Sequence, residues 1–494
     1  MYNMIGKIKQ KIQAFMESDR DVPLLVGLIS GFYPFLFFYS NNYPSVNSWT
    51  HLIVFSLIYV GIPVCITMLS YYVFGKIEKL KPYKKHLLFV LLIFLTSLFM
   101  SQAIYMTLKK KILLGILVVV CAASIKMYAH YKKLIVIIAI MAVMPLSKCL
   151  ISIYEGTRTA WTKPDDGIMN VKFKHKPNIY MIQPDGYVSR EIIEQAPYNY
   201  ETGFYDWLGN NGFTVYKNFR SNYPASLTSN ASMFAMKHHY FNDVIFPHIE
   251  MPAARETILS NNAVAVFKSN GYETFYLGQD EYFQQNLARG NYGHYNIKTE
   301  DIPLFTRGDK VVRDVYTDLY KSIAVKTLKP KFIFLERLLP HHVHFVAKGN
   351  RKQAERKEYL DKVEESNIWL TKAIALIKSK DKDALIIVLA DHGGWVGIES
   401  MHELLSTNDK SLIYSTFGNL AAIDWNGLQH AEYDAGLKTN VNVFRVLFSC
   451  LSEDKSYLSN MQEDASYNIR PGNFISQSVH KLIDEKGNVV NEKQ

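Results

Sequence analysis

Five long apolar runs occupy the first third of this 494-residue chain. They cover residues 22–40, 52–74, 87–106, 112–129 and 134–154. Each is close to the ~20 residues that an α-helix needs to cross the hydrocarbon core of a bilayer. One such run could be a buried core helix, but five in succession predict a membrane domain. The first run lacks a small-residue cleavage site and four more follow it, so we interpret it as an anchor and not a removed signal peptide.

The formal net charge of +10 would by itself suggest an acidic partner such as nucleic acid. Its distribution indicates another origin, because residues 1–155 hold 16 Lys and Arg against 5 Asp and Glu, whereas the other 339 residues hold 39 against 40. The basic residues cluster at 1–20, 76–85 and 126–133, beside the ends of the apolar runs, and loop 41–49 has no charge. The excess charge therefore predicts membrane orientation, and no nucleic-acid partner is expected.

The positive-inside rule places the N-terminus in the cytoplasm, and five crossings then put residues 155–494 outside it. The basic segment Lys109–Lys111 would lie on the outer side and is the one exception. We expect a multi-pass membrane protein with an extracytoplasmic domain.

The four cysteines limit the chemistry of that domain. Cys65, Cys121 and Cys149 fall in apolar runs, which leaves Cys450 alone in the remainder. Neither an internal disulfide nor a cluster of thiolates is possible there. A metal ion would be held mainly by Asp, Glu, His or hydroxyl oxygen.

Residues 155–176 contain the turn sequence Pro-Asp-Asp-Gly and predict a linker. After it, short apolar runs alternate with helical patterns, which is typical of an α/β domain at residues 177–494. Strands are expected at 179–182, 213–219, 273–277, 331–335, 384–390 and 417–425. Helices are expected from 226 to about 238 and at 263–269, 357–378 and 442–451.

Polar motifs follow three of the predicted strands: Asp185-Gly186, Pro340-His341-His342 and Asp391-His392-Gly393. Catalytic groups of open α/β sheets collect at the carboxyl ends of strands, so this shared placement favours a site over ordinary turns. Ser226 and Thr228 begin a predicted helix, whose N-terminus would stabilise an alkoxide or a phosphoryl group. A simple Ser/Thr helix cap is the alternative.

Segments 178–187, 222–236, 332–345, 391–394 and 441–448 occur in this order. Together they resemble the membrane-anchored, sulfatase-like branch of the alkaline phosphatase superfamily, such as lipoteichoic acid synthases and lipid A phosphoethanolamine transferases. The five apolar runs predict a bundle of five transmembrane helices at residues 1–154. The resemblance implies that such helices anchor the protein in a bacterial inner membrane, and that residues 177–494 form an extracytoplasmic, α/β sulfatase-like catalytic domain.

The resemblance also implies site residues. One divalent ion (Mn²⁺, Mg²⁺ or Zn²⁺) would be held by Asp185, Ser226, Asp391 and His392. Ser226 would be the nucleophile, with Thr228 as the alternative, and His341 would serve the leaving group. His342 and His344 depart from the family pattern; we expect them to contact the substrate together with His341, and a second metal site is the alternative.

The residues after Ser226, Leu-Thr-Ser-Asn, lack the Pro and Arg of the motif that true sulfatases convert to formylglycine. Sulfate ester hydrolysis is therefore not expected. The resemblance implies a transferase that moves a phosphoethanolamine- or phosphoglycerol-type head-group from a phospholipid to a surface glycan or glycolipid, through a phospho-enzyme. The alternatives are a phosphodiesterase or phosphatase, and a non-catalytic protein of envelope assembly.

Overall fold

The computed structural model describes residues 2–157, 159–239, 251, 253–306, 308–343, 351–401, 403–470 and 478–493. The chain divides into two compact units, Met1–Glu155 and Gly156–Gln494. Each unit is described by itself.

The first unit is helical. Its α-helices are α1 (Tyr2–Glu17), α2 (Pro23–Val46), α3 (Trp49–Ser56), α4 (Ile62–Lys76), α5 (Lys84–Tyr105), α6 (Lys110–Met127) and α7 (Tyr131–Thr157). A π-helical turn, Leu57–Gly61, joins α3 to α4. Large apolar side chains such as Leu69, Val118 and Ile140 are exposed on these helices. A surface of this kind requires an apolar surrounding, which a lipid bilayer provides.

Four helical runs are long and apolar enough to cross a membrane: Pro23–Val46, Trp49–Lys76, Lys81–Tyr105 and Lys110–Thr157. The prediction of apolar N-terminal helices is confirmed. The count of five crossings is not, because predicted runs four and five both fall in Lys110–Thr157, where only the short 3-10 turn Tyr128–His130 separates α6 from α7.

The second unit is an α/β domain. Its strands are β1 (Ile179–Pro184), β2 (Thr214–Val215), β3 (Glu273–Leu277), β4 (His294–Tyr295), β5 (Lys331–Arg337), β6 (Leu385–Leu389), β7 (Ala421–Asp424), β8 (Ser466–Arg470), β9 (Ser478–Ile483) and β10 (Val489–Lys493). Its helices are α8 (Arg190–Ile193), α9 (Phe204–Asn210), α10 (Ser226–Ala235), α11 (Ala254–Leu259), α12 (Asn262–Ser269), α13 (Val315–Ala324), α14 (Arg351–Lys380), α15 (Lys410–Phe417), α16 (Ala431–Asp434) and α17 (Val443–Ser452).

Seven strands form a mixed sheet in the order β2-β7-β6-β1-β5-β3-β4. The central strand β1 pairs in parallel with β5 and β6, and β3 continues the parallel part beside β5. Strands β7 and β2 are antiparallel to their neighbours. The last three strands form a separate antiparallel sheet. Because β6, β1, β5 and β3 run in one direction, their carboxyl ends meet along one edge of the large sheet.

Helices cover both faces of the large sheet, and side chains alternate along each strand to reach them. On one face Met181, Phe334 and Ile387 pack among residues of α10, α12 and α17. On the other face Ile182 and Val388 pack against the long helix α14. Burial on both faces explains why the central strands are continuous apolar runs in the sequence.

Several expected elements differ from the observed ones. Within the expected strand 213–219, only Thr214–Val215 form a regular edge strand beside β7. Asn218 takes a left-handed conformation (φ 53°) that interrupts the ladder, and isolated backbone hydrogen bonds from Tyr216 N–H to Ala421 and from Asn419 N–H to Phe219 continue beyond Val215 (2.9 and 3.2 Å). The expected strand 417–425 is the end of helix α15 followed by β7. Within residues 155–176, where a linker was expected, Ile168, Val171 and Phe173 are buried in the core of the second unit.

Helix α14 provides a test of core packing. We expect Ile374→Ala to lower the free energy of unfolding by about 2–5 kcal/mol, because the Ile374 side chain is 1% exposed and its removal leaves a cavity. Denaturant unfolding of the full chain in detergent measures the change. On the same helix Ile368 is 57% exposed, so Ile368→Ala should change stability by no more than about 0.5 kcal/mol. Equal losses in the two variants would contradict this packing.

Candidate metal centre and nucleophile

Four side chains converge at the carboxyl edge of the large sheet. Asp185 follows β1, Asp391 and His392 follow the neighbouring strand β6, and Ser226 is the first residue of α10. One ligand atom from each of Asp185, Asp391 and His392 lies within 4.8 Å of the others. The Ser226 hydroxyl lies 3.5 Å from Asp185 Oδ1 and 3.2 Å from His392 Nε2.

The His392 ring is oriented by the backbone of the next residue, Gly393. Its Nδ1 lies 2.7 Å from the carbonyl oxygen of Gly393, which assigns the ring proton to this nitrogen. Nε2 then presents a lone pair, and it lies 3.5 Å from Asp185 Oδ1 and from Asp391 Oδ2. Metal-binding histidines are commonly fixed in this way through their second nitrogen.

Asp391 is held equally firmly. Its Oδ1 accepts hydrogen bonds from the backbone N–H of Gly186 (3.1 Å) and of His392 (3.0 Å), so that Oδ2 is the oxygen beside the other ligand atoms. Its carbonyl oxygen accepts from Ser229 Oγ (2.7 Å) and Asn440 Nδ2 (2.9 Å). Two carboxylate oxygens, an imidazole nitrogen and a hydroxyl oxygen form a donor set that suits a divalent ion.

The electrostatics of the buried carboxyls fit the same interpretation. Burial and the nearby charge of Asp185 raise the pKa of Asp391. Burial also acts to raise the pKa of Asp185. The charge and the hydrogen bond of His341 outweigh this effect and hold the pKa of Asp185 below its usual range. A cation bound between the two carboxylates would stabilise both as anions. The residues present therefore fit a divalent metal ion.

The structure brings Ser226, and not Thr228, to the proposed metal ligands. Ala225 before α10 is extended and no side chain caps the helix, so the first-turn N–H groups have no acceptor within the helix. They favour negative charge beside Ser226. The Thr228 hydroxyl donates to the carbonyl of Ala225 at 3.0 Å and so completes the start of the helix.

The histidines after β5 differ in environment. His341 has a left-handed backbone (φ 64°), its N–H donates to the Asp185 carbonyl at 2.9 Å, and its Nδ1 hydrogen-bonds the Asp185 carboxylate. The ring of His342 stacks on Trp395 with centroids 3.7 Å apart, and burial lowers the pKa of His342 to about 3. His344 lies outside the described residues. A cavity of about 120 Å³ lies beside His341 and His342.

Sequence reasoning missed the side chains that support these loops. Tyr359, on α14, donates to the Gly186 carbonyl at 2.8 Å and accepts from Val188 N–H at 3.3 Å. Trp395 stacks on His392 as well as His342, and its indole N–H donates to the Pro224 carbonyl at 3.1 Å. Tyr359 carries no local signal, whereas a tryptophan directly after Asp391–Gly394 could have been noticed.

Two further buried acids lie at the same edge. Asp280 follows β3, and burial raises its pKa to about 7. Glu336 lies on β5, where burial and the negative charges of Asp280 and Asp185 raise its pKa well above the usual value. Glu336 could have been found from the sequence, because a charged residue in an apolar strand is costly to bury without a purpose.

Comparison with known proteins agrees with this geometry. The family model described as Sulfatase matches residues 185–451, more than half of the chain. The chain belongs to the sulfatase family. The matched region begins at Asp185 and includes Ser226, His341, Asp391 and His392. A search of curated proteins finds no match to this sulfatase-family chain.

Similar solved structures include the C-terminal periplasmic domain of EptC from Escherichia coli, which is 11% identical over 65% of this chain and 96% of that one, with a TM-score of 0.44. The integral membrane protein lipooligosaccharide phosphoethanolamine transferase A from Neisseria meningitidis is 11% identical over 84% of this chain and 77% of that one, with a TM-score of 0.40. A Bacteroides thetaiotaomicron protein of glycosaminoglycan metabolism is 15% identical over 65% and 88%, with a TM-score of 0.41.

A divalent ion should stabilise this sulfatase-family protein. An ion at one hundred times its dissociation constant is expected to add about 2.7 kcal/mol to the folded state, because it binds only there. Asp391→Asn should remove this gain, since it deletes a ligand oxygen. Thermal unfolding of the metal-stripped full chain with Mn²⁺, Mg²⁺ or Zn²⁺ added back measures it. The control is Asp361→Asn, at a side chain 65% exposed on α14, which should keep the gain. Equal gains in both variants would exclude this site.

His239 predicts a pH dependence of stability. Its Nε2 lies 2.9 Å from the Thr228 carbonyl, its ring stacks on Tyr223, and burial lowers its pKa to about 3. In the unfolded chain the ring titrates near ~6.5, so only the unfolded state gains a proton as the pH falls below that value. The free energy of unfolding that this neutral ring contributes above pH ~6.5 is therefore lost as the pH falls toward ~3, by up to about 1.4 kcal/mol per pH unit.

His239→Gln keeps a donor for the Thr228 carbonyl and removes the titration, so its unfolding free energy should fall less steeply between pH 6.5 and 5. Denaturant unfolding at each pH gives the slopes. The control is Gln353→Asn, at an exposed and non-titrating position on α14, which should keep the slope of the unchanged protein. The interpretation fails if His239→Gln retains the full slope.

Proposed function

We propose that this sulfatase-family protein is a metal-dependent phosphotransferase of the cell envelope. It moves a phosphoethanolamine- or phosphoglycerol-type head-group from a membrane phospholipid to a surface glycan or glycolipid. The observation that carries the proposal is the convergence of the Ser226 hydroxyl with Asp185, Asp391 and His392 at an uncapped helix N-terminus.

A serine hydroxyl is a weak nucleophile near neutral pH and has to be activated. A divalent ion held by Asp185, Asp391, His392 and Ser226 would supply this by stabilising the alkoxide and polarising a phosphoryl oxygen. The first-turn N–H groups of α10 provide further stabilisation for negative charge on the phosphoryl group. The His392 ring is fixed by one hydrogen bond, and the Asp391 carboxylate accepts two from backbone N–H groups. These bonds keep the proposed metal ligands aligned, so little reorganisation is needed during the reaction.

In the first half-reaction, Ser226, whose hydroxyl proton has been released to water, attacks the phosphorus of the lipid through its oxygen. The bond from phosphorus to the glycerol oxygen of the lipid breaks, and the head-group phosphate becomes a diester on Ser226. The departing glycerol oxygen takes a proton from His341. Since His341 Nδ1 engages Asp185, Nε2 is the nitrogen that exchanges this proton.

In the second half-reaction, a hydroxyl of the glycan gives its proton to His341 and attacks the same phosphorus. The bond from phosphorus to the Ser226 oxygen breaks, which regenerates the enzyme. The kinetics would be ping-pong, as is usual for a covalent intermediate.

The membrane unit supports a lipid donor, because an anchored enzyme meets bilayer lipid at high local concentration. We place residues 1–154 in the inner membrane with five crossings and the N-terminus in the cytoplasm. We keep residues 155–176 as the connecting segment, whose later part packs on the domain through Ile168, Val171 and Phe173, and residues 177–494 as the extracytoplasmic catalytic domain. The neutral balance of charge after residue 155 gives no reason to expect nucleic acid.

Hydrolysis is the second candidate, since water could replace the glycan hydroxyl at the same phosphoserine. A sulfatase reaction is disfavoured because Leu-Thr-Ser-Asn follows Ser226 where formylglycine formation needs Pro and Arg. Labelled head-group found on the surface glycan indicates transfer, whereas free phosphorylated head-group indicates hydrolysis.

The nucleophile can be tested with the full chain in mixed micelles of phosphatidylethanolamine or phosphatidylglycerol. Release of diacylglycerol should fall by about a thousandfold or more in Ser226→Ala, because the attacking oxygen is lost. Thr228→Val should stay within about tenfold of the unchanged protein, because it loses only a bond at the helix start. Mass spectrometry should find the head-group phosphate on Ser226. The reverse ranking would make Thr228 the nucleophile, and unchanged release in both variants would exclude this mechanism.

A further inference from the structure

A second cavity of about 770 Å³ lies outside the metal centre. Five cationic side chains line it: Lys217, Arg220, Lys410, Lys438 and Lys486. Of the described residues that line it, only Glu191 and Asp409 are acidic. The imbalance matters because the second unit as a whole is close to neutral. A concave surface with excess positive charge favours an anionic ligand.

The cations come from distant parts of the chain. Lys217 and Arg220 precede α10, Lys410 begins α15, Lys438 precedes α17, and Lys486 lies in the turn between β9 and β10. Within the described part of the chain, none of the four lysines pairs with a carboxylate. The positive charge of the cavity therefore results from the fold and not from one basic stretch of sequence.

Arg220 is the buried part of the cavity wall. Only 2% of this residue is exposed, and its Nη2 donates to the carbonyl oxygens of Asp464 and Asp484. Its Nε is buried and has no hydrogen-bond acceptor in the described structure. No carboxylate among the described residues pairs with this guanidinium. Asp464, Asp484 and Glu485 act on Arg220 through their charges without forming an ion pair with it. A buried charge without an ion-pair partner is costly, and a guanidinium binds an oxyanion particularly well.

The turn that carries Lys486 is fixed in place. The Tyr414 hydroxyl donates to the Gly487 carbonyl at 2.6 Å, and Gly487 has φ 88°, a conformation that favours glycine. Tyr414 also lies under the Lys410 ammonium, 5.5 Å from the ring centroid. Two of the cations are thus held by contacts of one tyrosine.

The rest of the lining suits a sugar. Ser189 and Gln195 offer a hydroxyl and an amide, as glycan hydroxyls require. The Ser411 hydroxyl and the Asn488 amide donate to Asp409 and Asp484, and their oxygens can still accept a hydrogen bond from a ligand. The volume lies in the range of about 300–1,000 Å³ found for small-molecule sites, enough for more than a single phosphate ion. A lipid tail would need a longer apolar wall than Ile192 and Phe219 provide.

The cavity borders both loops of the proposed centre. Arg220 belongs to the segment that leads into Ser226, and Ser189 belongs to the segment that follows Asp185-Gly186. Backbone hydrogen bonds from Arg220 N–H to Lys438 and from Ser221 N–H to Phe417 fasten the first of these segments (3.0 and 2.8 Å). A ligand in the cavity would therefore lie beside the segments that carry the nucleophile and a metal ligand.

We propose that this cavity binds an oxyanion, phosphate or carboxylate, on the glycan that accepts the transferred group. The assignment of the ligand as the acceptor rests on the proposed function. Arg220 and the lysines bind the charge, and the hydroxyl and amide groups bind the sugar. An anionic glycan would thereby be selected over a neutral one.

Calorimetry on the full chain in detergent tests the site with four probes: glucose 6-phosphate, glucuronate, glucose and glycerol 3-phosphate. We expect glucose 6-phosphate or glucuronate to bind and glucose not to bind, and the stronger of the two identifies the oxyanion. The triple variant Lys217→Gln/Lys438→Gln/Lys486→Gln should weaken this binding roughly tenfold or more, because charge-assisted hydrogen bonds are lost. Arg220→Lys keeps the positive charge but loses the paired N–H donors of the guanidinium, so it should weaken probe binding as well.

The matched control is Lys326→Gln/Lys329→Gln/Lys382→Gln, at exposed lysines on the opposite edge of the sheet, which should bind the probe unchanged. Asp391→Asn should also bind it unchanged, since Asp391 does not line the cavity. Equal affinities in the two triple variants, or loss of binding in Asp391→Asn, would overturn the proposal. Binding of glycerol 3-phosphate alone would do so too, by pointing to a lipid head-group.

Release of diacylglycerol from lipid, measured without glycan, reports on the proposed function separately. If that release is absent in the unchanged protein while probe binding follows the lysines, the transferase proposal fails and the anion site stands. If release depends on Ser226 while the probe binds the two triple variants equally, the anion site fails and the transferase proposal stands.

Discussion

Two carboxylates, Asp185 and Asp391, are buried at the ends of adjacent parallel strands, and their charge has to be balanced inside the protein. The surrounding structure is arranged for that purpose. His341 contacts the Asp185 carboxylate, His392 turns Nε2 toward both acids, and two backbone N–H groups bind Asp391. A divalent ion would complete the balance, and the hydroxyl of Ser226 lies where such an ion would make it reactive.

The groups that preserve this arrangement come from remote segments. Tyr359 reaches Gly186 from α14, Asn440 reaches the Asp391 carbonyl from the turn before α17, and Trp395 packs on two histidines. The core on both faces of the sheet thus supports the loops directly. A site held by packed helices and strands keeps its geometry better than one held by loops alone.

The sequence predicted some elements closely and others poorly, for identifiable reasons. Strand β3 was predicted with the observed bounds, because Gly271 and the apolar run delimit it clearly. The predicted strand 213–219 is regular only at Thr214–Val215. The residues up to Arg220 make isolated backbone contacts instead, and their apolar composition does not distinguish such a segment from a regular strand. Five apolar runs were recognised by length, but length does not say whether a 3-10 turn at Tyr128–His130 ends a crossing.

The sequence by itself determined the membrane helices, the α/β pattern and the candidacy of Asp185, Asp391 and His392, because hydrophobic periodicity and strand-end placement are local properties. Only the tertiary structure decided which hydroxyl faces the ligands. Ser226 and Thr228 are two residues apart on one turn, and their directions depend on where α10 begins and how it packs. The tertiary structure likewise assembled the cationic cavity, since Arg220 and Lys486 are far apart in the chain and meet only when the last hairpin is folded against the sheet domain.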